Sequence, residues 1–349
     1  MAKCLVTKLN GSISNAGLLR LGEMRIKFNK VLSPSKNTQY ISINVSKSTN
    51  LEIIGEGYFT DENLSANNGK TKTIDTTTKV FVSNNTLELA ILDKYNLVRI
   101  FDYDAGNVKN KELDIEAVSY SKGLTELNVR SVQLSGDISA LKNLTALTTL
   151  SFDNNQLSGD ISALKNLTAL TTLSFNNNQL SGDISALKNL TALTVMSFNN
   201  NQLSGDISAL KNLTALTVIR IVNVPGVFGN LSNLSNLVKL REINMQHATI
   251  SGDIATLPSS VCFISLFNNK GTTTWSTRPT SSKIIALESV SISNIDEMLI
   301  NQANCQTGYK VSDPSYYKVI SASGTRTTAS DDAVATLQQK GYTISIEKA

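Results

Sequence analysis

Between Leu134 and Asn212 the apolar residues fall on a grid. Leu147, Leu150, Phe152, Leu157, Ile161, Leu164 and Leu167 recur 23 positions on, as Leu170, Leu173, Phe175, Leu180, Ile184, Leu187 and Leu190. Gly136, Gly159, Gly182 and Gly205 keep the same interval, and so do Asn155, Asn178 and Asn201. A short fixed period means one structural coil stacked on the next. Within a coil, Leu150 and Phe152 stand two apart, the period of a strand. Ile161, Leu164, Leu167 and Leu170 stand three apart, which suits a 3₁₀ or short helical run on the far side. The predicted coil is a strand, a turn, a return segment and a second turn. One coil buries too few side chains to offset the ordering of its own backbone. It folds only by covering its neighbours and sharing a strand ladder with them.

The grid wears away in both directions. Ile115, Val118 and Leu124 keep the spacing of Ile138, Leu141 and Leu147, and a degenerate first strand is expected near Asn96–Phe101. Strands follow at Leu124–Val129, Leu147–Phe152, Leu170–Phe175, Leu193–Phe198 and Leu216–Ile221, then around Ile243 and Ile264, with a worn last coil from Ile284 and Leu287. At Val224-Pro225-Gly226 the interval lengthens by one residue, which predicts a bulge or widened turn. Val132, Val224 and Ala248 stand where other coils carry Asn. The solenoid so defined spans residues 94–290.

Residues 1–93 do not repeat. Their β-rich runs are Cys4–Leu9, Met24–Phe28, Tyr40–Val45, Leu51–Ile54, Lys79–Val82 and Leu87–Leu92, separated by turn-like clusters such as Asn67-Asn68-Gly69. These predict a small β-rich domain, sandwich or barrel-like, or else an elaborate cap without its own core. Residues 291–349 read as a β-α-β cap. Asn294 followed by Glu297 resembles a helix start, Ser330-Asp331-Asp332 starts a second helix, and Lys340-Gly341 ends it. Strands are expected at Val319–Ala322 and Tyr342–Ile346. Such a unit would close the apolar end of the stack.

The pattern LxxLxFxxNxL followed by GxIxxLxxL resembles the leucine-rich repeat family, and in particular bacterial internalin-like repeats and the GDI-type repeats of Bacteroidales proteins. The resemblance covers about residues 94–290. It implies an α/β-type solenoid: a curved parallel sheet with short 3₁₀ segments on the convex side, binding through the concave side. It also implies that Asn155, Asn178 and Asn201 form a ladder satisfying backbone groups at the bend.

Composition narrows the function. The chain of 349 residues has a net charge of only +4, with Lys and Arg scattered, which argues against a nucleic-acid surface. No run approaches a membrane-spanning length of apolar residues. The start lacks the apolar stretch of a signal peptide. Cys4, Cys262 and Cys305 form neither a metal spacing nor a disulfide framework, so a reduced compartment fits, as does a surface or phage-like particle if an export segment has been trimmed. There is no GxSxG, P-loop, HExxH, or GxGxxG after a strand. His247, the single histidine, reads as a solvated ridge residue rather than a base, and Asp102 and Asp104 as an acidic turn. Asp137, Asp160, Asp183 and Asp206 form a row with too few oxygens per coil for calcium and read as turn caps. Asn143-Leu144-Thr145 and its copies match a glycosylation sequon as a by-product of the repeat. No catalytic residue, cofactor or metal is expected.

Binding is the better reading. The outward positions of the strands form three columns. Glu126, Thr149, Thr172, Val195, Val218, Glu242 and Phe263 make the first; Asn128, Ser151, Ser174, Ser197, Arg220, Asn244 and Ser265 the second; Arg130, Asp153, Asn176, Asn199, Val222, Gln246 and Phe267 the third. The middle copies offer generic Ser, Thr and Asn. The C-terminal copies depart from them, and mixed aliphatic, aromatic and Arg groups are what interfaces use. The expected partner site is Val195, Val218, Arg220, Val222, Glu242, Asn244, Gln246, Phe263 and Phe267; the competing reading has these residues packing against the C-terminal cap. About eight strand steps of ~4.8 Å give a face of roughly 40 Å, on the scale of a protein or glycan. The expected function is non-enzymatic recognition through that face. The alternative is a structural or adhesive component of a cell surface or phage-like particle, with the N-terminal domain as its docking end.

Overall fold

The computed structural model describes the backbone of six strands between residues 24 and 102 and, in full, residues 124–128, 130, 134–308 and 318–349. Cys4, Asp104, Ile115, Val118 and Val132 lie outside the described residues.

Each coil opens with a three-residue strand: Thr149–Ser151, Thr172–Ser174, Val195–Ser197, Val218–Arg220, Glu242–Asn244 and Phe263–Ser265. These pair in parallel and in register, Leu150 beside Leu173 beside Met196 beside Ile219. The expected run of threes is also present. Ile161–Leu164 is a 3₁₀ turn, Leu167 N–H donates to Leu164 O, and Leu170 N–H donates to Leu167 O. Phe152, Phe175 and Phe198 are fully buried. The first two meet edge to face with centroids 5.3 Å apart, the second two stack at 6.0 Å. Coil thus packs on coil through one continuous core.

A second ladder was not expected. Gln156–Asp160, Gln179–Asp183, Gln202–Asp206, Gly226–Asn230 and Thr249–Asp253 are strands of a separate seven-stranded parallel sheet. Only Leu157 of QLSGD points to the core, so the segment carries too little alternation to announce a strand. Glycine makes the ladder possible. Gly159 has φ +104°, and a Cβ there would stand 2.5 Å from the Asp137 carboxylate of the preceding coil. Side-chain-free backbone lets the coils close to strand distance.

The extra residue at Val224-Pro225-Gly226 is absorbed before this second strand. Ser204 pairs with Gly226 as Ser181 pairs with Gln202, so register recovers within one coil.

The three-residue strands belong to a sixteen-stranded sheet that continues past both ends of the repeats. Leu97–Asp102 is the degenerate first strand, parallel to Glu126–Asn128 with Ile100 beside Leu127, and antiparallel to Tyr40–Val45. The N-terminal strands extend the solenoid's own sheet; among the described strands they close no barrel and form no facing sandwich. Two expected runs, Lys79–Val82 and Leu87–Leu92, prove to be one strand, Thr77–Ile91. Its halves serve different partners, Tyr40–Val45 and Met24–Asn29, while Thr49–Phe59 pairs along the other side. That division holds the chain extended through Ser83-Asn84-Asn85, which reads locally as a turn.

At the far end, Ala286–Ser291 sets Leu287 beside Ile264, and Val319–Arg326 and Thr343–Lys348 follow in parallel. Helices α1 (Ile295–Ala303) and α2 (Asp331–Gln339) cover this end. The helix starts differ from the expected caps. Neither Asn294 nor Ser330 caps its helix through a side chain. Asn294 Nδ2 instead donates to Trp275 O and Glu297 Oε2, and Ser330 Oγ to Asp296 Oδ1, because both are engaged in docking one element on another. Lys340 likewise serves a different helix end from its own: its Nζ reaches Ala303 O at 2.6 Å and Cys305 O at 2.7 Å. A cation there complements the negative end of α1. Gly341 has φ +88°, as a C′ glycine does.

Candidate binding face

The outward columns of the three-residue strands differ sharply between the middle and the C-terminal coils. In the middle they are bonded to one another. Ser174 Oγ donates to Asp153 Oδ1 at 2.7 Å, which also accepts from Asn176 N and Nδ2. Ser197 Oγ and Asn199 N donate to Asn176 Oδ1, and Val222 N donates to Asn199 Oδ1. Arg130 Nε donates to Ser151 Oγ at 2.9 Å and stands 3.6 Å from Asp153 Oδ2, which ties it to the same network. Ser151, Ser174 and Ser197 are buried beneath it. Side chains that satisfy each other offer a ligand little beyond shape.

The network stops where Arg220 replaces serine. Arg220 makes a bidentate pair with Glu242, Nε to Oε1 at 2.5 Å and Nη2 to Oε2 at 2.9 Å. The Arg220 side chain is 39% exposed and that of Glu242 only 3%, so the guanidinium lies over a buried carboxylate. Val195, Val218, Val222, Asn244 and Gln246 are partly exposed around it, with Gln246 Nε2 on Ser265 Oγ at 3.0 Å. Phe267 is 45% exposed, and its ring stands edge-to-face with His247, 5.7 Å away.

Two expected surface residues are not on the surface. Glu242 is 2% and Phe263 1% exposed. Alternation along a strand fixes which face a side chain takes, not whether that face stays open. Glu242, Phe263 and Ala286 hold consecutive register positions, and all three are buried. Glu242 is the buried ion-pair partner of Arg220, and Phe263 is core.

The asparagine ladder is present. Asn178 Oδ1 accepts from Leu157 N at 3.0 Å, while its Nδ2 donates to Phe152 O, Phe175 O and Asn176 O. Asn155 and Asn201 repeat this, the ladder lapses at Val224 and Ala248, and Asn269 resumes it on Ile250 N. A second ladder escaped the sequence reading. Asn154, Asn177, Asn200 and Asn223 have φ of 55–58° and join Nδ2 to Oδ1 at 2.5–2.7 Å. The paired Asn in DNNQ and NNNQ was its signal, since asparagine tolerates the left-handed region. His247, at φ +62°, takes the next slot on this ridge. The carboxylate row works as turn caps: Asp137, Asp160, Asp183 and Asp206 each accept from the backbone N–H two residues on, at 2.7 Å.

Two parallel ladders, a 3₁₀ return and an asparagine at the bend define a repeat solenoid that presents a strand face. Residues 145–189 and 168–212 each match the family model described as leucine-rich repeats in two copies, and the stacked coils are leucine-rich repeats. No curated protein matches the chain. Among solved structures it is similar to the ectodomain of the Arabidopsis thaliana receptor kinase GASSHO1/SCHENGEN3, solved with CASPARIAN STRIP INTEGRITY FACTOR 2 (23% identity, 55% of this chain and 27% of that one, TM-score 0.41). Others are a plant ice-binding protein (20%, 72% and 82%, 0.48) and the internalin InlF of Listeria monocytogenes (22%, 70% and 77%, 0.40). The chain spans 27%, 34% and 50% of the three receptor structures first matched. No helix among the described residues is long and apolar enough to cross a membrane.

Proposed function

We propose that the chain is a non-enzymatic binding module that recognises a protein or glycan at the C-terminal end of its strand face. The observation that carries this reading is the break in the polar network. Coils with self-satisfied Ser, Asn and Asp give way to Val218, Arg220, Val222, Asn244, Gln246 and Phe267, which stay partly exposed. A guanidinium held by a buried carboxylate beside partly exposed valines, with an exposed ring two strands further along the same face, is a preorganised contact surface. Phe263 and Glu242 support it from beneath.

The test compares affinity capture by the native chain with capture by Phe267→Ala and by the paired variant Arg220→Met with Glu242→Met. The paired change avoids stranding Glu242 without its cation. Partners bound here are lost from both variants and kept by Asn177→Ser on the distant ridge. Equal capture by all four proteins would sink this site.

The uniform middle coils favour a second reading: a spacer in a surface or particle component, docked through residues 1–93. Deleting those residues then abolishes incorporation and leaves capture by the C-terminal coils intact.

A further inference from the structure

Thr343–Lys348 is the last strand of the sixteen-stranded sheet, paired on one side with Val319–Arg326 and, among the described residues, with no strand on the other. Its side chains alternate cleanly. Ile344 and Ile346 are partly buried against the core on the α2 side, and Thr343, Ser345 and Glu347 are exposed. The usual protections of an edge are absent from its centre: there is no proline, no inward charge and no bulge in this strand. The register shift at this pairing falls on the neighbour, between Ser321 and Thr325.

Backbone direction is fixed as well. Ala349 N–H donates to Arg326 O at 2.9 Å, towards the neighbouring strand. Alternation then turns the N–H and C=O of Ile344 and Ile346 to the open edge.

We infer that this edge pairs antiparallel with the same edge of a second copy, centred on Ser345. In that register Ile344 faces Ile346 of the second copy, and the reverse, as two hydrogen-bonded pairs on the apolar side. Thr343 faces Glu347, and Ser345 faces itself. No like charges oppose each other. A slip of one residue sets isoleucine against the exposed face. A slip of two in one direction sets Lys348 against Ile344; in the other it draws in Tyr342, which is 3% exposed in the core. The centred register alone pairs all five residues from Thr343 to Glu347. The strand is therefore complementary to itself, which argues for a second copy over an unrelated peptide. Six residues bury little area, so association is weak and depends on concentration.

The register makes the test sharp. Ser345 with its counterpart forms a non-hydrogen-bonded pair with Cα atoms about 4.5 Å apart, within the span of a disulfide. In the full chain with Cys4→Ser, and with Cys262 and Cys305 buried, Ser345→Cys links two chains at least about tenfold faster under mild oxidation than Thr343→Cys, whose counterpart is Glu347. The native chain sediments with a mass that rises with concentration towards twice 37.7 kDa, and Ser345→Lys, which opposes two cations, removes that rise. Equal linking by the two cysteine variants, or a constant single-chain mass, overturns the proposal.

Discussion

Gly159 carries two demands at once: a left-handed φ of +104° and a neighbouring carboxylate where a Cβ would stand. That carboxylate cannot swing away freely, because Asp137 Oδ1 holds Ser139 N at 2.7 Å. Gly159→Ala is therefore expected to lower unfolding free energy by at least about 1–2 kcal/mol, read from the urea midpoint. Ser158→Ala next to it, at a partly exposed position, should fall within about 0.5 kcal/mol of the native chain. Arg220 makes a different argument. Arg220→Ala leaves the buried Glu242 carboxylate without its cation, and removing one member of a buried pair costs about 3–5 kcal/mol, less here because Arg220 is partly solvated. Converting both to methionine should recover most of that loss, since an apolar pair of similar volume needs no compensation. If the single and double variants melt together, the pair does not matter to stability.

At the scale of elements, α1 is docked through Asp296, which accepts from Ser330 Oγ, Thr327 Oγ1 and Thr327 N. The Ser330 and then the Thr327 hydroxyls hold its carboxyl below the ordinary range. A depressed carboxyl stabilises the fold above its ordinary pKa of about 3.9, and that contribution is lost as pH falls through the lower folded value. Trp275, 2% exposed and bonded to Asn301 of α1, reports the docking. Its emission should shift red as pH falls below about 4, and in Asp296→Asn the shift should already be partly present at neutral pH and show less pH dependence. Which elements the sequence could announce follows from the same local logic. The Leu-x-Phe strands and the run of threes were legible because one repeated period places their apolar groups, and the Asn155 ladder because the repeat resembles a family that carries one. The QLSGD strand was not, because its pairing depends on the missing Cβ of a glycine in the next coil. The unbroken Thr77–Ile91 strand was not, because two distant partners override the turn-like Ser83-Asn84-Asn85.

The whole molecule behaves as coils that meet only their neighbours, with ends that must be closed. Its candidate site was legible only in part: the strand period sets the register of the columns, but burial of Glu242 and Phe263 depends on what lies over the face, which no strand period encodes. Near-identical coils imply that copies are interchangeable. Deleting residues 157–179 joins Gln156 to Leu180 and restores the native dipeptide, with Phe152 now beside Phe198. That protein should fold with unchanged circular dichroism per residue. The C-terminal end behaves oppositely. There the last coil has no copy to cover it, and α1 supplies the cover: Gln302, fully buried, accepts from Ile285 N at 2.7 Å and donates to Ile285 O at 3.1 Å. The glutamine amide thus takes the place of the next coil's backbone, over Ile284, Leu287 and Val290, all fully buried. Ending the chain after residue 290 strands both Ile285 groups, at about 1–3 kcal/mol each, and opens the apolar end of the stack to water. Aggregation on size exclusion is expected of this truncation. Gln302→Leu keeps the apolar cover and loses only the two hydrogen bonds, so it should stay soluble and be destabilised; a soluble, unchanged truncation would show that the stack needs no cap.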